Sequence, residues 1–290
     1  MSGAVSVAAA PPVVIRRRRG FGRRYALAIV GAAILFLWAF AALFAPFITP
    51  YPPDAVDLPN RLLPISAAHW FGTDALGRDV FTRVIFGARI SLAVGFSVVM
   101  IAAVIGTVVG ALAAYAGRWV EEGLMRLTDL VLAFPPIILA MAIAAAMGIG
   151  VVNTAIAMLV VWWPKFARLS RSLVLVERGR DYVEAARAAG FGSTYILFRQ
   201  ILPNTLGPMM VLITLDLGYA ILAFAGLSFL GLGVVPPTAE WGAMVAEGRE
   251  LVEQWWVATF PGFAILTVVM GFNFLGDGVR DWLDPYARSS

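Results

Sequence analysis

The chain has 290 residues, 60% of them hydrophobic and only 14% charged, with a mean hydropathy of +0.83. Soluble domains carry about 25% charged residues, so the apolar excess here must face lipid rather than water. The absence of cysteine excludes a disulfide scaffold or a cysteine-ligated metal. The single histidine, His69, argues against a histidine-built metal centre or proton relay.

In chain order, residues 1–24 read as a basic cytoplasmic tail, whose arginine run at 16–19 would lie against anionic lipid headgroups. A window of about 20 apolar residues then predicts six transmembrane helices near 26–48, 90–116, 127–149, 151–166, 204–232 and 257–276. The first is too long for the hydrophobic region of a signal peptide and lacks a small-residue cleavage site, so it reads as an uncleaved anchor. Gly148, Gly150 and Asn153 divide what would otherwise be one long apolar run into the third and fourth spans. An outer loop is predicted at 49–89, a five-helix core at 90–279, and a short cytoplasmic tail at 280–290.

The charges supply an orientation. With the amino terminus inside, 17 of the 22 basic residues, Lys165 among them, fall in cytoplasmic segments. Five (Arg61, Arg78, Arg83, Arg89 and Arg249) fall outside, which places both termini in the cytoplasm. The net charge of +4 therefore reflects membrane side, not a nucleic-acid-binding face. Trp255 and Trp256 are expected in an interfacial aromatic belt at the start of the sixth span.

The inner segment 180–203 carries the most information. Read as a helix, Tyr182, Ala185, Ala186 and Ala189 share one small-residue face, with Asp181, Glu184 and Arg187 toward another. Gly190 is placed to end that helix in a left-handed conformation. Ser193 or Thr194 is expected to cap the next short helix, and Pro203, after Leu202, to stop it before the fifth span. Such a helix–turn–helix suits insertion into a cleft on another protein; an amphipathic connector lying on the membrane without a partner is the alternative.

Glu184-Ala185-Ala186, then three residues, Gly190, and a Leu202-Pro203 pair ending 13 residues past the glycine resemble the EAA loop of ABC importer permeases. Gln200 stands where the general pattern has isoleucine, as is common in the oligopeptide branch. Three further segments resemble C-type permeases of the dipeptide/oligopeptide/nickel branch. These are Trp70-Phe-Gly-Thr-Asp74 continuing through Arg78, Asp79 and Arg83; Leu227-Ser-Phe-Leu-Gly-Leu-Gly followed by Pro236-Pro237 and Trp241-Gly242; and Asp277-Gly278 through Asp284-Pro285. The resemblance implies an all-α, six-helix permease fold of the type I importers in a prokaryotic cytoplasmic membrane. The implied partners are a B-type permease subunit, two ATP-binding subunits and an extracytoplasmic substrate-binding protein. It also implies that ATP is used by those partner subunits, with no cofactor in this chain, and that Tyr182, Glu184, Ala185, Ala186, Ala189, Gly190, Leu202 and Pro203 form the ATPase-coupling loop. Peptides lead as cargo; nickel chelates, glutathione, opines or sugars are alternatives.

Asp216 is the only acid well inside a predicted span and is a candidate pathway or subunit-interface residue. Phe224 is another, standing where many relatives carry an acid, so any role of that acid does not transfer here. Gly106 and Gly110 form a G-x-x-x-G pair suited to close helix packing, and Pro135-Pro136 should kink the third span. Asp74, Arg78 and Asp79 are expected to pair and fold the outer loop, with contact to a substrate-binding protein as the alternative, and His69 to serve as a turn residue. No phosphate-binding loop can surround Lys165, the only lysine, and neither a nucleophile elbow nor an H-E-x-x-H motif occurs, so no enzyme is expected. A self-contained channel or secondary carrier is the rival class, with one intramembrane acid and no internal repeat to support it.

Overall fold

A computed structural model of the chain describes residues 21–283, so the expectations for the amino-terminal arginine run and for the signature at 284–285 lie outside the described residues. Helix follows helix in the order α1 (Phe21–Leu43), α2 (Ala45–Ile48), α3 (Val80–Tyr115), α4 (Arg118–Leu132), α5 (Pro136–Met147), α6 (Val151–Arg178), α7 (Asp181–Ala188), α8 (Ser193–Ile196), α9 (Leu202–Phe229), α10 (Trp241–Gly248) and α11 (Trp256–Leu283). Among the described residues there is no strand beyond an isolated bridge between Thr73 and Asp79. Ala26–Leu43, Val80–Tyr115, Ser193–Phe229 and Trp256–Leu283 are each long and apolar enough to cross a membrane.

Several predicted boundaries move, each for a local reason. The helix expected from residue 90 starts at Val80, because the Asp79 carboxylate accepts the Thr82 N–H and so caps it. The predicted third span falls on two helices: α4 and α5 meet at 89°, with Pro135 and Pro136 interrupting the backbone ladder between them. The predicted kink is therefore a full change of direction. Gly148 and Gly150 take φ of +89° and +156° in the turn before α6, and Asn153 Nδ2 donates to the carbonyls of Met147 and Gly148. The predicted break thus sits where expected. Beyond it, α6 runs on to Arg178, well past the predicted end at 166. Its later turns alternate arginines with apolar residues, which lowers hydropathy without ending the helix.

The longest helices pack through small residues. A Cβ on Gly106 would lie 2.5 Å from the Trp163 carbonyl oxygen, and one on Gly110 2.2 Å from that of Ala167, so the G-x-x-x-G pair presses α3 onto α6. Ser170 Oγ donates to the Thr107 carbonyl across the same seam. Around it lies one core of Val98, Val99, Met158, Trp162, Phe166, Leu217 and Phe224, drawn from α3, α6 and α9. A second core joins Val84, Trp241, Met244, Val257 and Val268, where α10 lies across α3, α9 and α11. Helix α1 rests against α11 through Gly31 and Gly271 and through a Trp38 Nε1 to Thr267 hydroxyl bond of 3.0 Å. Much of the rest of α1, including Phe36 and Leu37, is exposed.

Candidate functional site

Three polar or partly uncovered regions stand out against this apolar frame. The first is built on α7. Here Val183 and Ala186, three residues apart, turn inward onto Ala111, Ala114, Val174, Ile196, Leu197 and Ile201. Two N–H groups close the end of α7 as a Schellman motif: that of Phe191 donates to the Ala186 carbonyl and that of Gly190 to the Arg187 carbonyl. Gly190 occupies the left-handed position at φ +81°, as its place in the sequence predicts. Tyr182 is half-buried; its hydroxyl donates to Glu177 at 2.8 Å and accepts from Asn204 Nδ2 at 3.3 Å.

Three expectations for this segment need correction. Ala186 does not share a face with Ala185 and Ala189: it is buried with Val183, while Ala185, Ala189, Asp181, Glu184 and Arg187 are exposed. The valine has more apolar surface to bury than an alanine and decides which side turns inward. Ser193 and Thr194 do not cap α8; Gly192 holds the cap position with extended backbone, and no side chain bonds there. Pro203 does not stop the helix. A π-helical turn over Leu197–Ile201 carries α8 into α9 without a break, and Pro203 falls in the first turn of α9. The wider turn accommodates a residue that lacks an N–H. Leu202 packs part-buried on the α7 foot, and Pro203 is exposed.

The second region is an ion pair that sequence spacing does not reveal. Lys165, assigned above to a cytoplasmic segment, sits at the midpoint of α6 and pairs with Asp216 at the midpoint of α9. Its Nζ lies 5.1 Å from the ring centroid of Trp162, 5.8 Å from Phe166 and 5.6 Å from Tyr219, within the range of cation–π attraction. Phe224, two turns along α9, is fully buried in the chain's own core.

The third region caps the opposite end of the molecule from α7. Asp74 Oδ1 accepts the N–H groups of Leu76 and Arg78, and its Oδ2 accepts Arg78 Nε at 2.6 Å. Arg78 and Arg83 both reach Glu247, at 2.9 and 3.2 Å, so the loop at 49–79 is clamped to α10. Asp79 pairs with His69 Nδ1 at 2.9 Å, and the His69 ring stacks on Tyr51. The expected pairing of Asp74 with Arg78 is present, while Asp79 turns to the histidine and the α3 N-terminus. Sequence reading missed the buried Glu240, which accepts from Ala243 N–H and Ser91 Oγ. Its place just before a short helix is the one signal that pointed to a cap. Trp256 is buried and donates to the Thr73 carbonyl, so only the half-exposed Trp255 fits the expected aromatic belt.

Residues 106–289 match the family described as binding-protein-dependent transport system inner membrane component, which takes in α7 and the Lys165–Asp216 pair together. The chain belongs to that permease family. Residues 23–64 additionally match the N-terminal transmembrane domain of oligopeptide transport permease C. A dipeptide transport system permease protein of Alkalihalophilus pseudofirmus is 47% identical over 264 residues, covering 91% of this chain and 87% of its own. A probable D,D-dipeptide transport system permease protein of Escherichia coli strain K12 is 45% identical, covering 90% and 88%. A glutathione transport system permease protein from Escherichia coli strain 536 is 45% identical, covering 91% and 88%. In fold, the permease resembles a chain of the inward-facing MetNI methionine ABC transporter, with a TM-score of 0.57 at 19% identity over 70% of this chain and 97% of that one. Among the described residues, no three His, Asp or Glu side chains come together in a way that would hold a metal ion.

Proposed function

We propose that this permease is one transmembrane subunit of an ATP-driven importer of di- or oligopeptides in a prokaryotic cytoplasmic membrane, and that α7 couples it to a separate ATPase. The observation that carries this reading is the construction of α7. A helix of eight residues is fixed by a small apolar foot and a closed C-terminus, yet presents Glu184, Ala185, Ala189 and Gly190 bare. Small residues flanked by charges allow a partner's backbone to approach closely while electrostatics set its register. The peptide class rests on the relatives named for dipeptides, and glutathione, from the third relative, is the second reading.

In this reading six segments cross the membrane: α1, α3, the bent α4–α5 pair, α6, α9 and α11. The basic residues place α7 and both termini in the cytoplasm, and the cap formed by the 49–79 loop and α10 outside. A B-type permease completes the path, two ATP-binding subunits sit beneath, and a substrate-binding protein delivers cargo to the cap. This chain contributes no cofactor and no catalytic group. ATP-driven closure of the ATPases pushes on α7, and the packed foot passes the motion into α3, α6 and α9 as a rigid-body shift.

The test is an affinity pull-down of the tagged chain from its native membrane in mild detergent. Recovery of a homologous permease together with phosphate-loop ATPases is expected, and Ala185→Trp should release the ATPases while retaining the second permease. A folded chain that comes down alone would instead favour a self-contained channel or carrier.

A further inference from the structure

The Lys165–Asp216 pair is left without a task by ATPase coupling. Lys165 lies 14 positions into α6 and Asp216 lies 13 positions before the end of α9, which in the six-span reading puts both at hydrocarbon depth. A pair serving only to clasp two helices would be enclosed at both ends; here Asp216 is buried, but the lysine end stays open. The Lys165 side chain keeps 29% of its surface and Asp216 10%. Tyr219, which stacks on Trp162 beside the ammonium, is 40% exposed. Tyr219 belongs to an uncovered stripe with Leu215, Leu222 and Gly226 on the same side of α9. Hydrocarbon against an accessible ammonium is costly, so this face borders water or the second subunit rather than lipid.

We propose that Lys165 and Asp216 form a mid-membrane subsite for a zwitterion, in which the cargo's carboxylate takes Lys165 and its ammonium takes Asp216. This rests on the peptide-importer reading given above. The chemistry selects for paired charges. An anion alone would strand Asp216, and a cation alone would strand Lys165, whereas a zwitterion exchanges one neutral set of ion pairs for another and leaves no buried charge uncompensated. The rings of Trp162, Phe166 and Tyr219 hold Nζ in place while its carboxylate partner changes. A peptide with free termini fits this requirement, and one blocked at either end does not.

The discriminating variant is Lys165→Met/Asp216→Leu, which removes both charges together and so leaves neither unpaired. The assembled transporter is studied with its partner permease and ATPases. Uptake of radiolabelled Ala-Ala is measured in proteoliposomes with the binding protein. Saturation-transfer NMR is measured without it, using Ala-Ala, its C-terminal amide and N-acetyl-Ala-Ala. The double variant is expected to assemble and melt as the wild type does. Its uptake should fall about tenfold or more, the scale of losing charge-assisted contacts in a desolvated site. Its saturation of Ala-Ala should fall to the level of the two blocked peptides. Wild-type uptake and undiminished saturation in the double variant would overturn the subsite and leave the pair a helix clasp. If the wild type saturates Ala-Ala through this pair but transports no peptide, the importer reading fails and the subsite stands. If it does neither, both fall.

Discussion

The two ends of the permease use charge in opposite ways. At the cap, Asp74, Arg78, Arg83 and Glu240 are all buried and each has fixed partners within the chain. At α7, Asp181, Glu184 and Arg187 are exposed beside bare alanines, and Val183, Ala186 and the half-buried Tyr182 root the helix. Charge with partners inside the chain serves the fold. Charge displayed beside small residues is what the proposed ATPase encounter would use, so substitutions at the two ends should separate stability from coupling.

The largest expected effect is at the cap. Arg83→Met removes the Arg83 pairs with Glu247 and, at 3.5 Å, with Asp74, and should lower stability toward the bottom of the range of about 3–5 kcal/mol for a broken buried pair, because Glu247 is part-exposed and both acids keep Arg78. A melting point in detergent within error of wild type would mean the cap network does not hold the fold. Next comes Gly190→Val. A Cβ there meets nothing within 4 Å, so the cost is backbone strain of about 1–2 kcal/mol at φ +81°. It should be accompanied by loss of peptide-stimulated ATP hydrolysis in the assembled transporter, and stimulation at the wild-type level would remove Gly190 from the coupling site.

A smaller effect is expected at Glu240. Burial pushes its carboxyl above the ordinary glutamate range, so the folded cap holds that proton more tightly than the unfolded chain does. Stability from this group therefore rises as pH falls from the raised value toward the ordinary one, and is lost again as pH climbs. Against Glu240→Gln, which cannot titrate, the wild type should gain in melting temperature from neutral to mildly acidic pH. A constant difference would show that Glu240 stays charged throughout. The smallest change in stability, within about 0.5 kcal/mol, belongs to Ala185→Trp on the open side of α7, and it should coincide with complete loss of ATPase association. If Ala185→Trp instead unfolds the permease, α7 is part of the core and the contrast between the two ends collapses.

What the sequence made legible was local. The stop at Gly190, the division at Gly148 and Gly150, and the close seam at Gly106 and Gly110 depend on a few neighbouring residues with one physical meaning each. The Asp74–Arg78 pair, four positions apart, was equally readable. The misses were relations between distant segments. Lys165 and Asp216 are 51 positions apart, and Arg83 and Glu247 are 164 apart, so no window could join them. Hydropathy cut α6 short because a run of arginines resembles the end of a span. The inward turn of Val183 depends on what α3 and the π-helical turn offer beneath α7, which no periodicity of the helix itself expresses.

The turn between α5 and α6 carries a detail with mechanical weight. The Leu232 carbonyl, just beyond α9, accepts the Gly150 N–H at 3.2 Å and the Thr154 hydroxyl at 2.7 Å. Two donors from the start of α6 are thus stitched to one acceptor at the far end of α9. The two helices share a rim at the end remote from α7, so neither can slide along its axis there without drawing the other. In the coupling proposed for α7, a push delivered there would therefore reach the cap through α6 and α9 moving as one two-helix lever.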